Sequence, residues 1–226
     1  MDQLPQIKFR KLYDQFNQPI TEDDCGKHCA GHNPSGKPFC CDVCQAVPAV
    51  YTDEWAYLKQ TTNLWRPWLG TECAEQDQRM AELRDSTPEN MVLLACLGPE
   101  QCQREYRALS CRQFPFFPYI TEDFRFIGLA YEWHFESTCW VINHLNLVRP
   151  VYRQEFVAAF DYVFDQWPDE MESYADLSAE MRDVFGAQGR RIPILHRNGS
   201  DYLLSPGDDR LRRADLSRVS RSILYR

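Results

Sequence analysis

The stretch that decides the fold of this chain spans residues 91–115 and reads MVLLACLGPEQCQREYRALSCRQFP. Its first five residues form a short apolar run, which predicts a buried strand that delivers Cys96 to the end of that strand. Two further cysteines follow at Cys102 and Cys111. Thiols that recur at short spacing are typical ligands of a zinc ion or an iron–sulfur cluster. This stretch therefore predicts one half of a metal site.

A second group of cysteines lies upstream and predicts the other half of the site. Its members are Cys25, Cys29, Cys40, Cys41 and Cys44. The first two are four residues apart, so one helical turn would stack their thiols on the same face. Glycines and prolines interrupt this part of the chain, and we therefore expect a loop through most of residues 21–48. Ligands drawn from two distant segments are what a tetrahedral metal site requires.

The spacing of Cys41-Asp-Val-Cys44 leaves three interpretations of the upstream group open. It is typical of a zinc knuckle, of a thioredoxin-like redox pair, or of cysteines with no shared role. A redox pair requires a preceding strand and a following helix, whereas Pro38-Phe39-Cys40 precedes this pair. Metal ligation is the favoured interpretation.

The composition indicates a folded, acidic protein. Of the 226 residues 44% are hydrophobic, which is enough to form a core without cross-links. The 25 basic and 33 acidic residues give a net charge of −8, which argues against nucleic-acid binding. Residues 1–10 lack the apolar segment of a secretory signal, and no uncharged run approaches the roughly 18 residues of a membrane span. We expect a cytoplasmic protein without membrane contact, whose thiols are reduced; disulfides are the alternative.

The local patterns predict a mixed α+β fold in a single compact domain, with several helices, short strands and a C-terminal β-hairpin around the metal site. The predicted helices cover residues 52–59, 71–84, 153–167 and 169–186. Thr52 or Asp53 is expected to cap the first of them, and Pro168 to separate the last two. Asn198-Gly199 between two apolar runs predicts the hairpin. Within residues 1–226, the cysteine-cluster core covers 21–120 and the helical and hairpin part covers 121–226.

The downstream cysteines carry a resemblance to a known family. Their pattern, Cys-x5-Cys-x8-Cys-Arg-x-Phe-Pro, resembles the later signature of the YkgJ-type cysteine-cluster (CxxCxxCC) family, also described as a zinc- or iron-chelating domain. The positions that match are Cys96, Cys102, Tyr106, Arg107, Cys111, Arg112, Phe114 and Pro115. The double cysteine Cys40-Cys41 matches the upstream element of the family, from which a ten-residue insertion separates the two earlier cysteines. The resemblance covers residues 21–120.

The resemblance implies a metal-chelating domain whose biochemical role is undetermined. The cysteines predicted as ligands are Cys25, Cys29, Cys40, Cys41, Cys44, Cys96, Cys102 and Cys111. Thiolates suit both candidate cofactors, a zinc ion and an iron–sulfur cluster, so the choice between them stays open. Arg112 is expected to donate hydrogen bonds to a cluster sulfur or to an anionic ligand. Cys73 and Cys139 are expected to be small buried hydrophobic residues.

Two alternative functions remain in view. Relatives of the wider family include flagellin lysine N-methylases, so the resemblance also allows a metal-dependent enzyme that performs redox or protein-modification chemistry. The segment from Arg190 to Arg226 is rich in arginine, with examples such as Arg213 and Arg221. Such a segment either binds a protein partner, which would make the chain an interaction module, or docks on the acidic helices of the same chain.

Overall fold

The computed structural model describes residues 7–73, residues 78–218 and Tyr225. Contacts divide the chain into two compact units, each assembled from separate segments. The cysteine unit comprises Phe9–Asn17 and Gly26–Gln113, and the C-terminal unit comprises Met1–Lys8, Gln18–Cys25 and Phe114–Arg226. Both units combine helices and strands, so the predicted α+β class is confirmed. The prediction of one domain with an internal boundary near residue 120 stays a prediction.

The cysteine unit is built on a three-stranded antiparallel sheet. Its elements are α1 (Phe9–Gln15), α2 (Gly26–Ala30), β1 (Ala49–Tyr51), α3 (Thr52–Thr61), β2 (Trp65–Pro67), α4 (Gln78–Asp85), β3 (Met91–Cys96) and α5 (Leu109–Gln113). The central strand is β3, which pairs with β1 over its first half and with β2 over its second half. Leu94 and Ala95 on this strand are buried, which confirms the predicted buried strand that ends at Cys96.

Two local predictions for the cysteine unit differ from the structure. The helix α3 begins at Thr52, but its N-cap residue is Tyr51 and no side chain caps it, so capping by Thr52 or Asp53 is wrong. The helix predicted over residues 71–84 appears as α4 (Gln78–Asp85), and residues 71–73 are not helical. Residues 74–77 of that prediction lie outside the described part of the chain.

The C-terminal unit is built on a five-stranded antiparallel sheet in the order β4-β5-β6-β7-β8. Its elements are β4 (Phe116–Ile120), β5 (Phe126–Tyr131), α6 (Pro150–Gln166), α7 (Pro168–Ala187), β6 (Ile192–His196), β7 (Asp201–Leu204) and β8 (Leu211–Arg213). The two helices meet at Pro168, as predicted, because proline cannot continue the hydrogen-bond ladder of α6 but suits the first turn of α7. The fully buried side chains of Phe156, Phe160 and Val163 form the core face of α6.

The predicted C-terminal hairpin is formed by β6 and β7. The register pairs Ile192 with Leu204 and Leu195 with Asp201. Gly199 in the turn has a φ of +86°, which glycine adopts without steric strain. The other edge of β6 pairs with β5 around Gly128, where a Cβ atom would lie 2.4 Å from the carbonyl oxygen of Leu195. The sheet therefore requires glycine at position 128.

Substituting Gly128 by alanine should destabilise the C-terminal unit. The added methyl group would overlap the backbone of Leu195 and would lie 2.7 Å from the Cα atom of His196, so the two strands must separate. We expect a loss of about 1–3 kcal/mol, measured by urea denaturation. Gly207→Ala is the matched control, since no described atom lies within 4 Å of the position of its Cβ. Equal unfolding midpoints for the two variants would contradict the close approach of β5 and β6.

Candidate metal centre

The structure brings together thiols from four parts of the cysteine unit. These belong to Cys41, Cys96, Cys102 and Cys111. Burial, followed by the charges of the other three, raises the pKa of the Cys111 thiol well above its usual range. Burial and the charges of Cys41 and Cys102 likewise raise the pKa of Cys96. Charges act over several ångströms, so these effects place one upstream thiol, that of Cys41, in the vicinity of all three downstream ones.

The sheet and a tight turn position the first two downstream thiols. Cys96 is the last residue of β3 and pairs with Trp65 on β2. Gly98 follows with a φ of +101°, a conformation that favours glycine and turns the chain away from the sheet. Pro99 then opens a single 3-10 turn, and the amide of Cys102 donates a hydrogen bond to the carbonyl of Pro99 at 3.3 Å. The turn supplies three of the five residues that separate the two cysteines.

The other two thiols lie at a short 3-10 turn and on a short helix. Cys41 is the last residue of the 3-10 turn Phe39–Cys41, and its Sγ atom lies 4.0 Å from that of Cys40. Cys111 lies in α5, where its amide donates to the carbonyl of Ala108 at 3.0 Å. Each of the four thiols is thus fixed by a local turn, helix or strand end, rather than by a long flexible loop.

The guanidinium group of Arg107 is hydrogen-bonded to one of these thiols. The Nε atom of Arg107 donates a hydrogen bond to the Sγ atom of Cys102 at 3.0 Å. Burial opposes the charge of Arg107, but this bond and the charges of Cys102, Cys111 and Cys41 raise its pKa. Arg107 therefore stays cationic beside the sulfurs and favours their thiolate form. Its position between two cysteines is the sequence signal that could have identified this role.

Arg112 is buried among backbone carbonyl groups. It is 5% exposed, and all three of its guanidinium nitrogens donate to oxygen atoms. The acceptors are the carbonyls of Tyr13, Phe16, Arg104, Glu105 and Arg107 and the side chain of Asn17. The expectation that this side chain binds a cluster sulfur or an anion stays a prediction, while these bonds give it a structural role. Its guanidinium organises the backbone that carries Arg107.

A buried carboxyl group supports the same region and is missed by sequence reasoning. The side chain of Glu54 accepts hydrogen bonds from the hydroxyl of Tyr13 at 2.5 Å and from the amide of Leu109 at 2.6 Å. It therefore holds the start of α5, the helix that carries Cys111. Burial raises the pKa of Glu54 to about 7, while these hydrogen bonds and Arg112 act in the opposite direction. A lone glutamate on an amphipathic helix gives no sign of such burial.

A disulfide bond joins Cys44 to Cys73. Cys44 therefore has no thiolate to offer a metal, and its prediction as a ligand is corrected. Cys73 is half-buried and bonded rather than a small buried hydrophobic residue. The expectation that the thiols are reduced is wrong for this pair. The bonded cysteines are 29 residues apart in sequence, and only the folded chain reveals that their Cα atoms lie 5.6 Å apart.

Three further predicted ligands have known local positions. Cys40 is the immediate neighbour of Cys41, and Cys29 is buried in α2, where its Sγ atom lies 3.5 Å from the carbonyl oxygen of Gly26. Cys25 directly precedes α2 and belongs to the C-terminal unit. Their role as ligands stays a prediction. Cys139, expected to be buried, is half-buried.

The thiols are neighbours without forming a coordination sphere. Within residues 7–73 and 78–218 and Tyr225, no three side chains of His, Cys, Asp or Glu are placed to hold one metal ion. Zinc requires sulfur donors at about 2.3 Å, so these thiols would have to turn inward to bind it. The donor set itself fits a thiophilic metal, because it combines four sulfurs with a cation that stabilises their charge.

Comparisons with known proteins give no information on the role of this site. No protein-family model, no curated protein and no solved structure matches the chain. The resemblance to the YkgJ-type cysteine-cluster family therefore stays a prediction. None of the described helices is long and apolar enough to cross a membrane.

Replacing Glu54 by glutamine should change how stability depends on pH. The pKa of Glu54 is raised from 4.5 to about 7, so the native protein holds a proton that the unfolded chain releases. The stabilising effect of that proton is complete below the unfolded pKa and is lost as pH rises through about 7. Relative to the wild type, Glu54→Gln should therefore gain about 1–3 kcal/mol between about pH 5 and pH 8. Parallel stability curves from urea denaturation would contradict the raised pKa.

Proposed function

We propose that this protein binds a thiophilic metal, as a zinc ion or an iron–sulfur cluster, through the thiolates of Cys41, Cys96, Cys102 and Cys111. The observation that carries the proposal is the convergence of these thiols around Arg107, which donates to one of them at 3.0 Å. Thiolates gathered in a partly buried site would repel one another, and the raised pKa values of Cys96 and Cys111 mean that these two thiols keep their protons while no metal is bound. A bound metal cation would remove this repulsion and use all four as ligands.

The charge balance of the site supports a metal with four thiolate ligands. A divalent ion bound by four thiolates keeps two excess negative charges, which are costly in a buried site. The guanidinium of Arg107 offsets one of them through its bond to Cys102. Hydrogen bonds to ligand sulfurs are a common means by which proteins tune metal affinity and redox potential. With Arg107 included, the net charge of the metal, its four thiolates and this guanidinium would be −1 rather than −2 for a divalent ion.

The proposed centre would also have a structural effect on the cysteine unit. Cys41 lies in the loop-rich part of the chain, whereas Cys96 ends β3 and Cys111 lies in α5. A shared metal would link the segment of Cys41 to the other two, which follow it by more than fifty residues. Because an unfolded chain does not present such a site, the free energy of metal binding adds to the free energy of folding.

Protein purified without oxygen should contain about one metal centre per chain, measured by elemental analysis and the visible absorption spectrum. Cys111→Ser and Cys102→Ser should each lower the metal affinity by more than about tenfold, because each removes a ligand. Iron–sulfur clusters absorb visible light and zinc does not, so the spectrum also identifies the cofactor.

Cys139→Ser is the matched control for these variants, since Cys139 belongs to the C-terminal unit. It should keep the metal content of the wild type. Circular dichroism of each variant separates ligand loss from misfolding. Wild-type protein that is free of metal, or equal metal content in Cys102→Ser and Cys139→Ser, would refute the proposal.

Replacing Arg107 by glutamine should weaken metal binding without removing a ligand. The change deletes the cation beside Cys102, and we expect an affinity lower by about 10–100-fold. Titration with Co2+ measures this loss and also shifts the sulfur-to-cobalt absorption band, because one sulfur loses its hydrogen bond. The control is Arg104→Gln, which removes the same charge from a side chain that donates to the carbonyl of Asn17 at 3.2 Å. Identical titrations for both variants would exclude a direct role of Arg107.

A further inference from the structure

A cavity of about 580 Å³ opens in the C-terminal unit. It lies between the start of α6, the turn that joins β6 to β7, and the end of β8. Cavities of roughly 300–1,000 Å³ are typical of small-molecule sites. The lining residues that determine its chemistry are Arg153, Gln154, His196, Asp201, Arg213 and Asp215.

The two acidic residues that line the cavity already have hydrogen-bonding partners. A carboxylate oxygen of Asp201 lies 2.5 Å from the Nη1 atom of Arg153. A carboxylate oxygen of Asp215 accepts bonds from the amide of Ser217 at 3.0 Å and from its hydroxyl at 2.6 Å. The charge of Asp201 is therefore offset by Arg153, whereas Asp215 is held by neutral donors of Ser217. The remaining chemistry of the cavity is set by its donors.

Some donor atoms around the cavity are still available to a ligand. Arg213 is exposed at the end of β8, and no acidic side chain in the described part of the chain lies within 4 Å of its guanidinium. The Nε atom of Arg153 is buried and has no acceptor among the described residues. The Nδ1 atom of His196 accepts a bond from the amide of Asn198 at 3.0 Å, which places the proton of the neutral ring on Nε2. These groups can donate to a ligand.

The start of α6 adds a further positive contribution. This 17-residue helix has no acidic residue in its first turn, and no side chain caps it. No acidic side chain of the first turn therefore offsets the partial positive charge of its N-terminus. Pro150, Arg153 and Gln154 of its first turns all line the cavity. The helix terminus and the free donors thus favour a ligand of the same sign.

We propose that this cavity binds a small molecule through an anionic phosphate or carboxylate group, with Arg213 as the main charged contact. Such a group offers only acceptors, so it satisfies the unpartnered donors without competing with the ion pair of Arg153 and Asp201. Arginine matches the geometry of both anions because its guanidinium donates two parallel bonds. The start of α6, which also lines the cavity, would add the favourable field of its N-terminus.

Calorimetric titration with inorganic phosphate and with citrate tests the proposal. Wild-type protein should bind at least one of these probes saturably, and Arg213→Gln should weaken that binding about tenfold or more. The matched control is Arg212→Gln, which removes the same charge from the same strand. Residues 212 and 213 point to opposite faces of the strand, and Arg212 is not among the residues that line the cavity. This control should bind like the wild type.

The outcomes separate a built site from general charge attraction. A preference for phosphate or for citrate identifies which anion the natural ligand carries. Equal weakening by Arg212→Gln and Arg213→Gln would overturn the proposal, as would the absence of saturation for both probes up to about 10 mM. Arg213→Lys provides a second variant that keeps the charge but loses the paired bonds, and it should bind with intermediate affinity. Circular dichroism verifies that each variant is folded.

Discussion

The buried guanidinium of Arg112 is the interaction on which the cysteine unit depends most. It donates to carbonyls near the end of α1 and to carbonyls on both sides of Tyr106, and it lies 4.2 Å from the ring centroid of Tyr13. Hydrogen bonds from a buried cation are worth more than neutral ones, and losing them leaves several acceptors without donors. The backbone that carries Arg107 is held from one side by Arg112 and from the other by the indole of Trp65, which donates to Tyr106 at 2.8 Å. A rigid backbone here fixes the cation beside the sulfurs.

Burial works both for and against this arrangement. It favours the neutral forms of Glu54 and Cys111, whose pKa values it raises, and it lowers the pKa of Arg112 to about 10. The hydrogen bonds and the opposite charges inside the unit offset part of that cost. The protein has thus placed an acid, a cation and several thiols where water is scarce. Such a combination is typical of sites with a chemical role, although purely structural networks share it.

Much of the fold is predictable because its signals are local. The apolar run before Cys96, the break at Pro168 and the turn at Asn198-Gly199 each depend on a few neighbouring residues. The candidate site is only half predictable, since spacing identifies the downstream thiols but not their upstream partner. Cys44 is bonded to Cys73, whereas the thiol of Cys41 lies in the vicinity of Cys111. The position of Cys73 in the fold decides between these two upstream cysteines, and no local sequence pattern gives that position. Likewise, both Arg107 and Arg112 flank the cysteines, and only the turn between them determines which one points at a sulfur.

The bond between Cys44 and Cys73 also makes part of the chain a closed loop. This loop contains β1, α3 and β2, whereas β3, with which both strands pair, lies outside it. A protease that cuts the backbone once anywhere between residues 45 and 72 would therefore release no fragment. The two pieces would stay covalently joined and aligned on β3. Only a reducing agent would break the covalent link between the two pieces. Cleavage within this segment would therefore not change the mass of the protein, apart from one added water, until the disulfide is reduced.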